Sequence, residues 1–348
     1  MKIAGVASAF PKHYYSQDFL AAGLKRFWGE RLKNPQLLDR LHAHCGVDGR
    51  FLSLPPDEYY RLENWGQAND AWIRCAMELG QQALCRALAR AGVAPGEIGA
   101  VFTTSVTGIA SPSLDARLAN RMGFSRTIKR IPIFGLGCVA GAAGIARAAD
   151  YVRAYPDEVA ALLAVELCSL TLQREDVSMA NLISAGLFGD GAAAVIIAGA
   201  GRENPGPQIL ASRSVFYPGT ERIMGWDISE RGFKIVLSPR LPELIEERLG
   251  GDVRSFLSDC GLAFGDIGRW ILHTGGPRIL EATARALELP KKALAVSWDV
   301  LRRVGNLSSA SVLLVLEEVM RERPPAGTYG LLAAMGPGFC SELVLLRW

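Results

Sequence analysis

Charge of one sign, long apolar runs and paired cysteines are all missing from this sequence of 348 residues. Its 38 basic and 35 acidic residues leave a formal net charge of +3, which excludes the basic stripe of a nucleic-acid binder. No apolar run reaches the ~18 residues of a membrane span. The cysteines are odd in number (Cys45, Cys75, Cys85, Cys138, Cys168, Cys260 and Cys340) and none forms a Cys-x-x-Cys pair. That excludes a disulfide framework and points to a reducing, cytoplasmic setting. Histidine is scarce: His13, His42, His44 and His273 bring no metal-ligand spacing, so neither a metal nor another cofactor is expected. Near the start, Lys2 and the apolar Ile3–Ala7 mimic a secretory leader with an Ala7-Ser8-Ala9 cleavage site. The apolar stretch is shorter than the ~7–15 residues a leader needs, and a first strand ended by Pro11 is expected instead.

What is present is a composition fit for a large core, 49% hydrophobic and 21% charged, and a repeat at domain scale. Residues 92–104 and 261–273 align at an offset of 261 − 92 = 169, and in both a helix-like run leads through Gly-x-Ala-x-Gly-[Glu/Asp]-Ile-Gly into a strand-like run. Gly137-Cys138 and Gly305-Asn306 each open a helical stretch at nearly the same offset, 306 − 138 = 168. The starts (Ile3–Pro11, Ile209–Pro218) and the ends (Gly191–Ala198, Glu342–Trp348) echo one another. The order of these matches indicates a duplicated αβ unit with halves 1–204 and 205–348, joined in the Gly/Pro/Asn stretch Arg202–Pro207. Asp70–Ala91 has a helical period ending at Gly92. Val101–Val106 and Val159–Val165 read as strands covered on both faces, and Ser111-Pro112 as a helix start with Pro at its first position. The class is α/β.

Gly135-Leu136-Gly137-Cys138-Val139-Ala140 fits the dinucleotide fingerprint G-x-G-x-x-A. The acidic partner is misplaced, however. Asp157 and Glu158 precede the next strand, and Glu166 lies 31 residues after Gly135, against the ~20 of a ribose-binding site. A second chemistry fits the same turn. A cysteine at a helix mouth meets unpaired N–H groups and the positive end of the macrodipole, which favour a nucleophilic thiolate. By the repeat, His273 is the counterpart of Thr104 and Asn306 of Cys138. Internal symmetry therefore collects Cys138, His273 and Asn306 around one cavity.

On Phe134–Gly144, Leu187-Phe188-Gly189-Asp190-Gly191-Ala192-Ala193, His273-Thr274-Gly275-Gly276-Pro277, Gly305-Asn306-Leu307-Ser308-Ser309-Ala310 and Met335-Gly336-Pro337-Gly338, the sequence resembles a type III polyketide synthase. This is the chalcone/stilbene synthase superfamily in its bacterial form. The resemblance implies a thiolase fold, with duplicated αβαβα layered halves and two central mixed sheets. It implies a catalytic Cys138, His273 and Asn306, with His273 pairing the Cys138 thiolate. An acyl-CoA starter loads on Cys138 and is extended by decarboxylative Claisen condensation with malonyl-CoA, an acyltransferase reaction. His273 and Asn306 donate to the enolate oxygen.

The resemblance also places Phe188 as gatekeeper and Ile235, not an aromatic, at the second gatekeeper position. Cavity-lining roles fall on Cys168, Thr171, Trp226, Phe233 and Ser308, and on Gly336, Pro337 and Gly338 of the Met335–Gly338 loop. Arg40 matches a residue contacting CoA phosphates. A small Cys168 suggests room for a long acyl chain, and with it an alkylpyrone- or alkylresorcinol-type product. The alternatives are a malonyl-primed tetrahydroxynaphthalene- or phloroglucinol-type synthase, or a ketoacyl-ACP synthase III-like enzyme. A homodimer without nucleic-acid partner or membrane span is implied.

Overall fold

The computed structural model describes residues 1–348. In the first half the elements are β1 (Lys2–Ala9), β2 (His13–Ser16), α1 (Gln17–Trp28), α2 (Pro35–Ala43), β3 (Gly49–Leu52), α3 (Pro56–Tyr59) and α4 (Trp65–Ala91). They continue with β4 (Ile98–Thr104), α5 (Leu114–Met122), β5 (Lys129–Ile133), α6 (Ala140–Ala154), β6 (Val159–Leu167), α7 (Met179–Leu187) and β7 (Asp190–Ala198). The second half has β8 (Gln208–Phe216), β9 (Met224–Ser229), β10 (Gly232–Leu237), α8 (Leu241–Asp259), β11 (Ile267–Leu272) and α9 (Pro277–Ala286). It closes with α10 (Ala295–Val304), α11 (Ser311–Glu322), β12 (Tyr329–Gly336) and β13 (Cys340–Arg347).

Five layers result. Helices α4 and α5 cover the outer face of β5-β4-β6-β7-β1, α6 and α11 fill the middle, and α8 and α9 lie outside β11-β12-β13-β8. Every residue of β6 and β7 is buried, as strands covered by helices on both faces must be. Their Val, Ile, Leu and Ala side chains supply both neighbouring cores. Helix α4 starts at Asn64, whose side chain accepts from the Gln67 N–H. It stops at a left-handed Gly92, and turns an Ala/Leu stripe inward.

Two expectations change. The two sheets are mixed, but they are joined edge to edge through the Lys2–Gln208 pair of β1 and β8 into nine strands. The chain crosses between the halves at Pro207, so the first strand of each half lies beside the other and their free edges meet. Helix α5 begins at Leu114 with Ser113 as its cap, which leaves Pro112 outside the helix. No helix is long and apolar enough to cross a membrane.

Candidate active site

Cys138 lies in a tight 3-10 turn, Gly137–Val139, that runs into α6. Gly137 has φ of +54°, and a Cβ there would meet the Pro337 ring at 2.8 Å. Helix α6 approaches its symmetry mate closely, because a Cβ on Gly141 would lie 2.2 Å from the Ser309 carbonyl oxygen. Small residues after the cysteine therefore let the two central helix starts touch. His273 follows β11, with its backbone N–H donating to the Ala333 carbonyl. Asn306 is stapled to the Leu187–Gly189 segment: its N–H donates to Leu187 O at 2.9 Å, and its carbonyl accepts from the Gly189 N–H at 3.0 Å. Gly305 permits this approach with φ of +75°, since a Cβ would stand 2.6 Å from Leu187 O.

Cys138, His273 and Asn306 line a single cavity of about 680 Å³. The Asn306 side chain is oriented from behind. Its Oδ1 accepts from the Ser308 N–H at 2.8 Å and from the Ser311 hydroxyl at 3.2 Å, and its Nδ2 has no protein partner. The His273 ring has no protein hydrogen bond either, and its buried Nδ1 is unpaired. The Cys138 thiol donates to Ser308 Oγ at 3.6 Å. Burial pushes the thiol up to about 12, assisted by the charge of Glu166, while the Ser308 hydroxyl opposes the shift. Burial also holds the His273 imidazole down to about 4. Burial thus opposes a lone thiolate and a lone imidazolium, so a charged pair here rests on the attraction of each partner for the other.

Glu166, at the end of β6, is itself fully buried. It accepts from the Val106 N–H at 3.1 Å, the Thr107 hydroxyl at 3.0 Å, Ser105 Oγ at 3.3 Å and the Ser309 hydroxyl. Burial raises its carboxyl above the usual range, and these donors oppose the shift. The network ties the β4 end to the Ser308–Ala310 turn beneath the thiol. It also answers why Glu166 is not a ribose ligand.

Phe188 lines this cavity and a second one, of about 380 Å³, and is the residue the two share. Cys168, Thr171, Trp226 and Ile235 line the second chamber. The first cavity instead reaches a mouth lined by Arg40 and His44 near the end of α2 and Arg278 at the start of α9, with no acidic residue among its walls.

The sequence matches follow this geometry. Residues 65–201 match the family model for chalcone and stilbene synthases, N-terminal domain, and residues 208–348 the one for the C-terminal domain. The chain belongs to the chalcone and stilbene synthase family. It is similar to a 1,3,6,8-tetrahydroxynaphthalene synthase of Streptomyces peucetius subsp. caesius, at 51% identity over 99% of this chain and 93% of the relative. Phloroglucinol synthase of Pseudomonas fluorescens is 32% identical, with 97% of each chain covered. The crystal structure of tetrahydroxynaphthalene synthase from Streptomyces coelicolor, a bacterial type III polyketide synthase, superposes with a TM-score of 0.94 at 32% identity, covering 100% of this chain and 99% of that one. The protein is thus a type III polyketide synthase with the thiolase fold.

Within the synthase, several residues expected to line the cavity stand behind it. Phe233 is buried in an aromatic cluster with Trp65, Phe134 and Trp226, so Trp226 takes the wall and Phe233 supports it. Ser308 is buried between the thiol and Asn306, where it orients both. Gly336, Pro337 and Gly338 line neither cavity. Gly336 backs the cysteine turn, since a Cβ there would be 2.6 Å from Leu136 O, and Pro337 packs on Gly137. Arg278 and His44 were missed. Both carried a signal: His44 lies four residues from Arg40 at one helix end, and Arg278 sits in the first turn of α9, where the macrodipole disfavours a cation unless an anion binds.

Proposed function

We propose that the synthase primes itself with malonyl-CoA and builds a polyketide that closes to a polyhydroxylated aromatic of the tetrahydroxynaphthalene type. The observation that carries this reading is the two-part cavity. A cationic mouth leads to Cys138, His273 and Asn306, and Phe188 divides them from an apolar chamber. The likeness to the Streptomyces peucetius enzyme over nearly the whole chain supports the product class. A naphthalene skeleton has ten carbons, so five malonyl units would each lose CO2 and CoA.

In this reading Arg40, His44 and Arg278 hold the CoA phosphates by charge-assisted hydrogen bonds. The Cys138 thiol passes its proton to neutral His273 as sulfur attacks the malonyl thioester, and the departing CoA thiolate takes that proton. The next malonyl-CoA loses CO2. The electron pair of the broken C–C bond moves onto the thioester oxygen, where a His273 N–H and the Asn306 Nδ2 donate to it. The enolate carbon attacks the Cys138 thioester, a C–C bond forms, and the sulfur leaves to be reprotonated. A homodimer joined along the edge strand β5, with Phe134 beside it 55% exposed, fits the same reading.

Product analysis by mass spectrometry tests it, with malonyl-CoA alone, with acyl-CoA starters of graded length, and with Cys138→Ala in parallel. A ten-carbon aromatic from malonyl-CoA alone, lost in the variant, is the expected result. Products only from long-chain starters would restore the alkylpyrone or alkylresorcinol reading that the small Cys168 suggests. Condensation only with malonyl-ACP would replace both by a carrier-protein enzyme.

A further inference from the structure

The chamber behind Phe188 opens away from Cys138. Beyond the buried Cys168 and Thr171 it runs between α1 and α3, where exposed Phe19, Arg26 and Asp57 line it. Phe19 is 46% exposed. The chamber therefore meets solvent at a place of its own, across Phe188 from the mouth at Arg40 and Arg278.

Three features separate this opening from the first. Gly23 lies in the interior of α1 and lines the chamber, yet a Cβ there would meet nothing within 4 Å. Glycine is unfavourable inside a helix, and no packing contact demands it here. What its missing side chain preserves is open space next to Leu20, Leu24 and Tyr60. The charge is also different. Arg26 and Asp57 are of opposite sign, whereas the other mouth is purely cationic. Finally, the walls here are richer in aromatic rings, with Phe19, Phe27, Tyr59, Tyr60 and Trp226 against Phe339 in the first cavity, a surface on which a flat molecule can stack.

We propose that the α1–α3 opening is the exit of the cyclised aromatic product, while CoA thioesters enter and free CoA leaves by the cationic mouth. The inference rests on the malonyl-primed reading above. A product formed behind Phe188 then need not pass back across the nucleophile, and the next malonyl-CoA can occupy its tunnel before release.

The test is rapid-quench kinetics with malonyl-CoA on Gly23→Trp, Leu24→Trp and Ala22→Trp, with thermal melts of each. Ala22→Trp, exposed on α1 and outside both cavities, should turn over at the wild-type rate. Gly23→Trp should show a burst of one product per active site, then a steady phase at least about fivefold slower, with KM for malonyl-CoA not raised. Leu24→Trp, at the same opening, should do likewise and serves where Gly23→Trp does not fold. Wild-type steady rates without a burst in a folded Gly23→Trp or Leu24→Trp variant would overturn the exit. So would shorter, lactonised products at undiminished turnover, which would make this branch room for the growing chain. A wild-type enzyme that makes nothing from malonyl-CoA alone refutes the priming reading instead. The same burst measurement with an acyl-CoA starter then decides the exit.

Discussion

Replacing Asn306 by Asp separates a donor to the enolate from a residue that merely holds the turn. The Asn306 Oδ1 accepts from the Ser308 N–H and the Ser311 hydroxyl, and a carboxylate oxygen preserves both bonds. Asn306→Ala leaves two buried donors unpaired, at about 1–3 kcal/mol each, and should lower the melting temperature. Asn306→Asp should not. What Asp removes above its pKa is the Nδ2 donor. Loss of one such donor costs ~10²–10³ in rate, and a carboxylate facing the developing oxyanion adds repulsion. The assay is malonyl-CoA decarboxylation to acetyl-CoA, beside Cys138 acylation read by intact mass. Decarboxylation by Asn306→Asp at pH 8 should fall by at least ~10², while acylation of Cys138 persists. Rate should return as pH falls, because the protonated acid regains an O–H donor. Decarboxylation within about threefold of wild type at pH 8, against the ~10² set by one donor, would falsify the oxyanion role.

The other predictions use the same electrostatics. Burial opposes the Cys138 thiolate, and where it outweighs the pull of His273, carbamidomethylation of the free enzyme should climb about tenfold per pH unit from pH 6 to 9. A plateau by pH 7 would show that the thiolate pair forms without substrate. Arg40→Ala and Arg278→Ala should each raise KM for malonyl-CoA roughly tenfold, with little change for a malonyl thioester of N-acetylcysteamine, which has no phosphates. Equal losses on both substrates would count against phosphate binding. His42 is buried on α2, with burial holding it down to about 4 from an ordinary 6.5. The unfolded chain takes up its proton first, so stability present above pH 6.5 is lost as pH falls towards 4, by up to about 3 kcal/mol. His42→Gln should flatten this acid limb in chemical denaturation at pH 4.5–7, and an unchanged slope would refute the assignment.

The meeting of Cys138, His273 and Asn306 in one cavity was legible because the duplication preserves register around them. Ile98 and Ile267, which open β4 and β11, stand 169 apart (267 − 98), and Val159 and Tyr329, which open β6 and β12, stand 170 apart (329 − 159). Between these strands lie the helix starts that carry Cys138 and Asn306, so a constant offset was enough to find them. Elsewhere the register breaks. From the start of β1 to that of β4 the first half uses 98 − 2 = 96 positions, whereas β8 to β11 takes 267 − 208 = 59. From β6 to β7 it uses 190 − 159 = 31, against 340 − 329 = 11 for β12 to β13. The extra residues are α1–α3 and the segment from Cys168 through α7, and these build the walls: Phe19 to Phe27 and Tyr60 in the chamber, Arg40 and His44 at the mouth, Met179 to Phe188 between. Symmetry has no counterpart for them, so repeat arithmetic was blind there. Nor does sequence rank Trp226 before Phe233 on one hairpin, because which aromatic faces the void depends on Trp65 and Phe134 packing from elsewhere. The opposition of burial to the Cys138 thiolate escaped notice for a related reason: burial is a sum over the whole fold, while the helix mouth is local. In this synthase the segments shared by both halves bring Cys138, His273 and Asn306 together, and much of the cavity wall comes from segments that the first half alone possesses.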